Sequence, residues 1–348
     1  MNLGLAELLI TGGAGFIGSH TCVVLLEAGH NLVVLDNFSN SSPEALNRVA
    51  ELAHVNVGDD RLRLVKGDIR DQTSLHQAFS MAPIQGVIHF AGLKAVGESV
   101  SNPMRYWDVN LSGSLNLLRC MEMHACHAIV FSSTSTVYGE PNSFPIRESD
   151  DTNPIHPYAQ TKLAVENVLQ ALHNSNNNWL ISCLRYFNPV GAHPSGLIGE
   201  DPLGIPNNLF PFVTQVAAGR QQQVFVFGND YDTPDGTGIR DYIHVMDLAE
   251  AHTSAIERLL NQKQSLPPIN IGTGTGHSVL EVLDGFEHAT GIHIPREYMP
   301  RRPGDVPKLE SSTQLARQLL GWSSKLSLED MCRDGWNWQR QNPRGYQP

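Results

Sequence analysis

The stretch "ITGGAGFIGSH" at residues 10–20 constrains this chain most, because Gly12, Gly15 and Gly18 recur at every third position directly behind a short apolar run. Residues 5–11 have the continuous apolar character of a buried strand, residues 12–18 form a turn, and residues 19–28, closed by Gly29, carry a helical pattern. A glycine turn in that setting lets backbone come close to a ligand. The helix behind it presents free N–H groups and a positive dipole to a diphosphate. The same glycines suit a plain tight turn, so the next strand matters. Asp36 ends that strand, "NLVVLDN" at 31–37, eighteen residues beyond Gly18. A carboxylate there binds the hydroxyls of an adenosine ribose and repels a ribose phosphate, which favours NAD over NADP.

Further strand-like runs follow at "RLRLVKGD" (61–68), "GVIHFAG" (86–92), "AIVFSSTS" (128–135) and "LISCLRYFN" (180–188), with helical patterns at 73–80, 103–124 and 157–174 between them. This alternation predicts an α/β fold, a Rossmann-type doubly wound parallel sheet covered by helices on both faces. After Asn188 the texture changes, and Pro and Gly crowd residues 189–211. The expected division is a nucleotide-binding domain at 1–188 and a smaller mixed α/β substrate-binding lobe at 189–348, with segments packing back on the first domain. Runs at 224–230, 239–252 and 269–283 supply that lobe.

A length of 348 residues suits two coupled lobes. With 41% apolar and 17% charged residues the chain reads as a soluble protein, and no run approaches the ~20 apolar residues of a membrane helix. Residues 1–7 carry no basic leader or small-residue cleavage site, so a cytoplasmic location is expected. The net charge of −11 argues against sequence-independent nucleic-acid binding, which needs clustered cations. An anionic ligand must then be met by a few local cations and backbone amides. Five scattered cysteines suit reduced thiols without disulfides. Cys120, His124, Cys126 and His127 share one helix end, a spacing that does not converge on a tetrahedral ion, so no metal is expected.

A second constellation joins "SSTSTVYG" (132–139) to "YAQTK" (158–162). Tyr158 and Lys162 are four apart and share a helix face. A phenol with a reference pKa near ~10 is a poor base at neutral pH, and a neighbouring cation favours its phenolate. With Thr134 or Ser133 delivered by a strand end, the set makes a proton-transfer site at the carboxyl edge of the sheet, where such folds bind ligands.

The glycine spacing together with Tyr158 and Lys162 resembles the extended short-chain dehydrogenase/reductase family. The longer strings "HFAGLKAVGESV" (89–100), "RYFNPVGAHPSG" (185–196), "EDPLGIPNNL" (200–209) and "GTGIRDYIHVMDLA" (236–249) resemble its UDP-glucose 4-epimerases specifically, over nearly the whole chain. That resemblance implies a homodimer, built through helices flanking the sheet, that interconverts UDP-galactose and UDP-glucose by oxidising sugar carbon 4, turning the 4-keto sugar and reducing its other face. Tyr158 would take the hydroxyl proton, Lys162 and a cationic nicotinamide would lower the pKa of the phenol, and Thr134 would bridge sugar and phenol. The resemblance carries NAD contacts to Gly12, Gly15, Phe16, Ile17, Asp36 and Asn37. It adds Asp68 and Ile69 around the adenine, then Phe90, Ala91, Gly92, Lys94, Asn110 and Phe187, with Tyr158 and Lys162. UDP-sugar contacts fall on Lys94, Thr134, Asn188, Asn208, Leu209, Phe227, Arg240, Tyr242, Val279, Arg302 and Asp305. Guanidinium forks at Arg240 and Arg302 match a diphosphate. Leu309 stands where many hexose-specific members carry tyrosine, which implies some activity on UDP-N-acetylhexosamines. The related 4,6-dehydratases carry an Asp-Glu pair where this chain has Ser135 and Thr136.

Overall fold

Val-, Ile- and Leu-rich runs hidden on both faces are what a parallel sheet demands, since its crossover helices cover both sides. The computed structural model describes residues 5–202, 204, 206, 208–302 and 305–347. Residues 1–4 and 348 of the expected domains, positions 203, 205 and 207 within the 200–209 string, and positions 303–304 lie outside the described residues.

The chain runs β1 (Glu7–Thr11), α1 (Phe16–Glu27), β2 (Asn31–Asp36), α2 (Pro43–Leu52), β3 (Leu62–Lys66), α3 (Gln72–Ser80) and β4 (Gly86–His89). Two short helices, α4 (Val96–Ser101) and α5 (Pro103–Tyr106), lead through a π-helical stretch, Trp107–Ser112, into α6 (Gly113–Met123). β5 (Ala128–Thr134) passes through a 3-10 turn, Ser135–Tyr138, towards α7 (Pro157–Ser175) and β6 (Leu180–Tyr186). Beyond these come β7 (Asn188–Val190), α8 (Leu209–Ala217), β8 (Val224–Phe227), β9 (Ile239–His244), α9 (Val245–Gln262), β10 (Ile269–Ile271), β11 (Gly276–Ser278) and α10 (Val279–Thr290). β12 (Arg296–Met299), β13 (Lys308–Leu309), α11 (Gln314–Leu320) and α12 (Leu328–Gln341) complete the order. Among the described residues no helix is long and apolar enough to cross a membrane.

Seven strands form one parallel sheet in the order β10-β6-β5-β4-β1-β2-β3. Alternation along each strand feeds two cores. Leu8, Ile10, Leu32 and Val34 point to α1, α2 and α9 on one face. Leu9, Val33, Leu35 and Phe131 point to α3, α6 and α7 on the other. This is the doubly wound arrangement expected from the alternation. The order reverses between β1 and β4, so a crevice opens at their carboxyl ends.

Two features depart from a simple reading of the pattern. The helix expected over 103–124 contains the π stretch, whose extra residue per turn brings Asn110 into the interior. After β9 the chain returns to the large sheet. α9 packs on α1, and β10 pairs with β6 as its outer neighbour. The remaining later strands build a small sheet around β9, flanked by β7, β11 and β13, and a β8–β12 pair. Phe210, Val213, Val226, Val282, Phe286 and Met331 fill the core beneath them.

Candidate active site

At Gly12 the backbone has φ +71°, and a Cβ there would sit 2.7 Å from the Ala91 amide nitrogen. At Gly18 a Cβ would meet the Gly12 carbonyl oxygen at 2.3 Å, so these two glycines are required by the fold itself. Gly15 differs, because a Cβ would meet only the Gly12 oxygen, at 3.3 Å. Gly15 is also the N-cap of α1 and offers no side-chain acceptor to the first helical amides. Those N–H groups are thus left for an acceptor from outside. Asp36 is buried at the end of β2. Its Oδ2 accepts from the Ala14 amide at 2.9 Å, and its Oδ1 accepts from the Phe38 amide at 2.9 Å and the Ser41 hydroxyl at 2.8 Å. A carboxylate offers about four acceptor sites, so one remains for a ribose hydroxyl. Cradle and carboxylate together fit a dinucleotide.

Asn37 donates to Asp68 at 2.8 Å, and hydrogen bonds from Arg70 hold the Asp68 carboxyl down at about 2. Ile69 is buried against Gly113. Phe90 packs on His252 with ring centroids 4.7 Å apart, while Phe16 meets His20 edge-on and Ile17 packs on the first core. Gly92 brings backbone close to two expected contacts, since its missing Cβ would be 3.1 Å from Asn110 Oδ1 and 3.7 Å from Lys162 Nζ. Asn110 holds the adjoining loop by accepting from the Leu93 amide at 2.7 Å. Lys94 instead turns to Glu200, at 2.8 Å.

His156 caps α7 by accepting from the Ala159 amide, and its ring stacks on Tyr158 at 5.9 Å with 6° between planes. Lys162, one turn on, is buried and donates to the Ser132 carbonyl at 2.8 Å. Burial lowers its pKa to about 8, against an opposing pull from Glu166. Burial also dominates at Tyr158, pushing the phenol up to about 12, and only the hydrogen-bonding Thr134 hydroxyl pulls the other way. Thr134 ends β5, and its Oγ1 also accepts from the Thr136 amide at 3.2 Å.

The second lobe gathers another set. Asp305 accepts from Arg302 Nε at 2.8 Å and lies 4.0 Å from Arg240, and Arg302 lies over the Phe227 ring at 4.9 Å. Tyr242 is buried beside both arginines. Asn188 of β7 pairs in register with Tyr242. Leu309, paired with Arg240, packs in a cluster with Phe187 and Tyr138. Asn208 and Leu209 start α8, the Asn208 side chain capping nothing, and Val279 starts α10.

Sequence reasoning missed the polar network behind this site. The Ser133 hydroxyl hydrogen-bonds Glu166, Glu166 pairs with Arg185 at 2.6 Å, Arg185 donates to the Tyr138 hydroxyl at 3.0 Å, and that hydroxyl donates to Asn270 at 2.7 Å. It locks β5, α7, β6 and β10 together just behind the reacting groups. An arginine inside the apolar run at 180–188 was the available signal. Asp241, likewise buried, accepts from Thr273, Gly274 and Ser311 and so fixes β13 against β9.

Residues 9–335 match the family model described as GDP-mannose 4,6 dehydratase. The chain is 52% identical over 339 residues to the UDP-glucose 4-epimerase of Bacillus subtilis (strain 168), covering 97% of this chain and 98% of that one. It superposes on the UDP-glucose 4-epimerase of Bifidobacterium longum, solved in complex with NAD+ and UDP, with TM-score 0.93, 47% identity and coverage of 97% and 99%. The UDP-Glc/GlcNAc 4-epimerase of Campylobacter jejuni is similar at TM-score 0.82 and 34% identity, over 97% and 99%. With the glycine cradle, the Tyr158–Lys162 helix and the arginine pair all in place along a chain matched end to end, the protein belongs to the UDP-glucose 4-epimerase family of extended short-chain dehydrogenase/reductases.

Proposed function

We propose that the protein interconverts UDP-galactose and UDP-glucose with NAD held in the crevice between β1 and β4. NAD, when bound, supplies the acceptor and donor of electrons for sugar carbon 4. Gly12, Gly15 and the first amides of α1 face its diphosphate, and Asp36 takes the adenosine ribose. Lys162 holds the other ribose, beside Asn110 and Gly92. Tyr158 takes the proton of the 4-hydroxyl and returns it, with Thr134 relaying between sugar oxygen and phenol. Arg240 and Arg302, aligned by Asp305 and Phe227, grip the UDP diphosphate while the hexose turns. Apart from Tyr158, Thr134 and Lys94, the division of labour falls near Asn188, nucleotide before it and sugar after it.

The observation that carries this reading is Tyr158 one helical turn before the buried Lys162 on α7, with Thr134 delivered by the carboxyl end of β5. A 4,6-dehydratase would need an acid and a base beside Thr134. Here Ser135 is buried and the Thr136 hydroxyl lies 3.0 Å from that of Thr134, neither of them a carboxyl group. Some turnover of UDP-N-acetylhexosamines is supported by Leu309 and by the dual substrate in the name of the Campylobacter protein. A cytoplasmic homodimer is the matching assembly, supported by exposed Val96, Val100 and Met104 on α4 and α5, both packed on α7.

Purified protein incubated with UDP-galactose, without added cofactor, should yield UDP-glucose by chromatography. Tyr158→Phe should lower the rate by roughly 10²- to 10⁴-fold, the usual share of a general acid–base. A catalytically silent nucleotide sensor would show no conversion in either protein, even with NAD added.

A further inference from the structure

The four residues weighed from sequence as a metal set part company in the structure. Cys126 is buried in the second core, and His127 lies edge-on to Trp179. Cys120 and His124 stay together, four apart at the end of α6, and α3 brings His76 to them from 44 residues away. His76 Nδ1 lies 3.0 Å from His124 Nε2 and 3.6 Å from Cys120 Sγ, and all three donor atoms fall within 4.8 Å of one another.

We propose that His76, Cys120 and His124 form a binding site for one thiophilic divalent cation of the zinc type. An ion with zinc's bond lengths to nitrogen and sulfur, in tetrahedral geometry, holds its ligand atoms about 3.4 Å (N to N) and about 3.6 Å (N to S) apart. The two spacings made by His76 lie within a few tenths of an ångström of these values, and Cys120 Sγ and His124 Nε2, within 4.8 Å of each other, close by rotation of the exposed His124 side chain. The donor set is one sulfur and two imidazoles with no carboxylate, which selects zinc, cobalt or copper over magnesium or calcium. Phe79 stacks on the His124 ring, centroids 5.1 Å apart and 20° between planes, and so limits its rotation. The sulfur is buried and His124 exposed, leaving the fourth position to solvent water. Binding displaces the thiol proton of Cys120 to solvent as the metal–sulfur bond forms. The ion then clips α3 to α6, the helices that follow Asp68 and Asn110 respectively.

The test uses untagged, chelator-treated protein with its nucleotide retained, titrated with Co²⁺ and followed by visible absorption. The wild type should take up one equivalent, with ligand-field bands and a sulfur-to-metal charge-transfer band, and Zn²⁺ should displace it. Cys120→Ser should lose the charge-transfer band. His76→Ala and His124→Ala should each bind at least roughly tenfold more weakly, as loss of a ligand must exceed the cost of losing an outer-shell partner. His124 is exposed, so its variant should fold and epimerise normally while Zn²⁺ no longer raises its melting temperature. Absence of stoichiometric uptake, or uptake that all three substitutions leave unchanged, would overturn the proposal.

Discussion

Lys162 keeps an ammonium where charge is least welcome. Its side chain is buried, with the Ser132 carbonyl as hydrogen-bond acceptor and the Phe131 ring 5.0 Å away. The folded-state pKa of about 8 lies below the ordinary 10.5, so between those values the unfolded chain binds more protons and stability rises with pH. Below about 8 the penalty is complete, on the order of 3 kcal/mol at 1.36 kcal/mol per unit. Lys162→Met removes it but leaves the Ser132 carbonyl short of a donor, a loss of about 1–2 kcal/mol. The variant should therefore be inactive yet more stable by about 1–2 kcal/mol at pH 7, with the advantage fading by pH 10. Urea denaturation of the cofactor-free proteins reads this directly, and a less stable variant at pH 7 would mean that the ammonium is better solvated than its burial implies. The unfavourable charge is explicable as a functional one, and Tyr158 fits the same account. Burial holds its phenol at about 12, so in the proposed reaction a cationic nicotinamide bound beside it would bring the proton within reach of neutral pH.

At the scale of elements, the turn from β1 to α1 separates what the fold needs from what a ligand needs. Gly18→Ala drives a Cβ into the Gly12 carbonyl and should cost about 1–3 kcal/mol of stability as well as cofactor binding. Gly15→Ala meets only the Gly12 carbonyl oxygen, at 3.3 Å, which must give by a few tenths of an ångström, and should change stability by less than about 1 kcal/mol. Its new methyl group would instead stand where a diphosphate approaches, so NAD affinity should fall by about tenfold or more, equivalent to 1.4 kcal/mol. Thermal melts paired with NAD titration distinguish the two variants, and equal effects from both would remove the ligand from the explanation. The turn was legible in the sequence because its signal is local, three glycines between a buried strand and a helix. So was the alternation behind the large sheet. β10 was not, since three residues of "INI" carry no mark of the partner they choose, and pairing with β6 is decided by packing across more than eighty positions. The π stretch was equally silent, as "WDVNLS" continues a helical pattern while Asn110 turns inward to hold Leu93. His76 could not be joined to Cys120 from spacing on one helix, because the convergence belongs to two.

For the whole molecule, the proposed sugar specificity rests on a strand of two residues. β13 is held on β9 by Asp241, which accepts from the Ser311 amide and hydroxyl, and this places Leu309 in one cluster with Phe187 and Tyr138 of the first domain. In the proposed reading this cluster walls the sugar end of the site, with Leu309 setting how much room remains. Tyrosine there would add a ring's width and a hydroxyl, whereas the smaller leucine is what the proposed turnover of N-acetylated sugars needs. Wild-type protein should therefore convert UDP-N-acetylgalactosamine as well as UDP-galactose. Leu309→Tyr should depress kcat/KM for the N-acetylated sugar by about 10- to 100-fold, the equivalent of 1–3 kcal/mol of overpacking, while leaving UDP-galactose within a few-fold of wild type. Parallel chromatographic assays of both sugars on both proteins give the ratio. No turnover of the acetylated sugar by the wild type at millimolar concentration would show that the wall opposite Leu309, and not this position, limits the pocket.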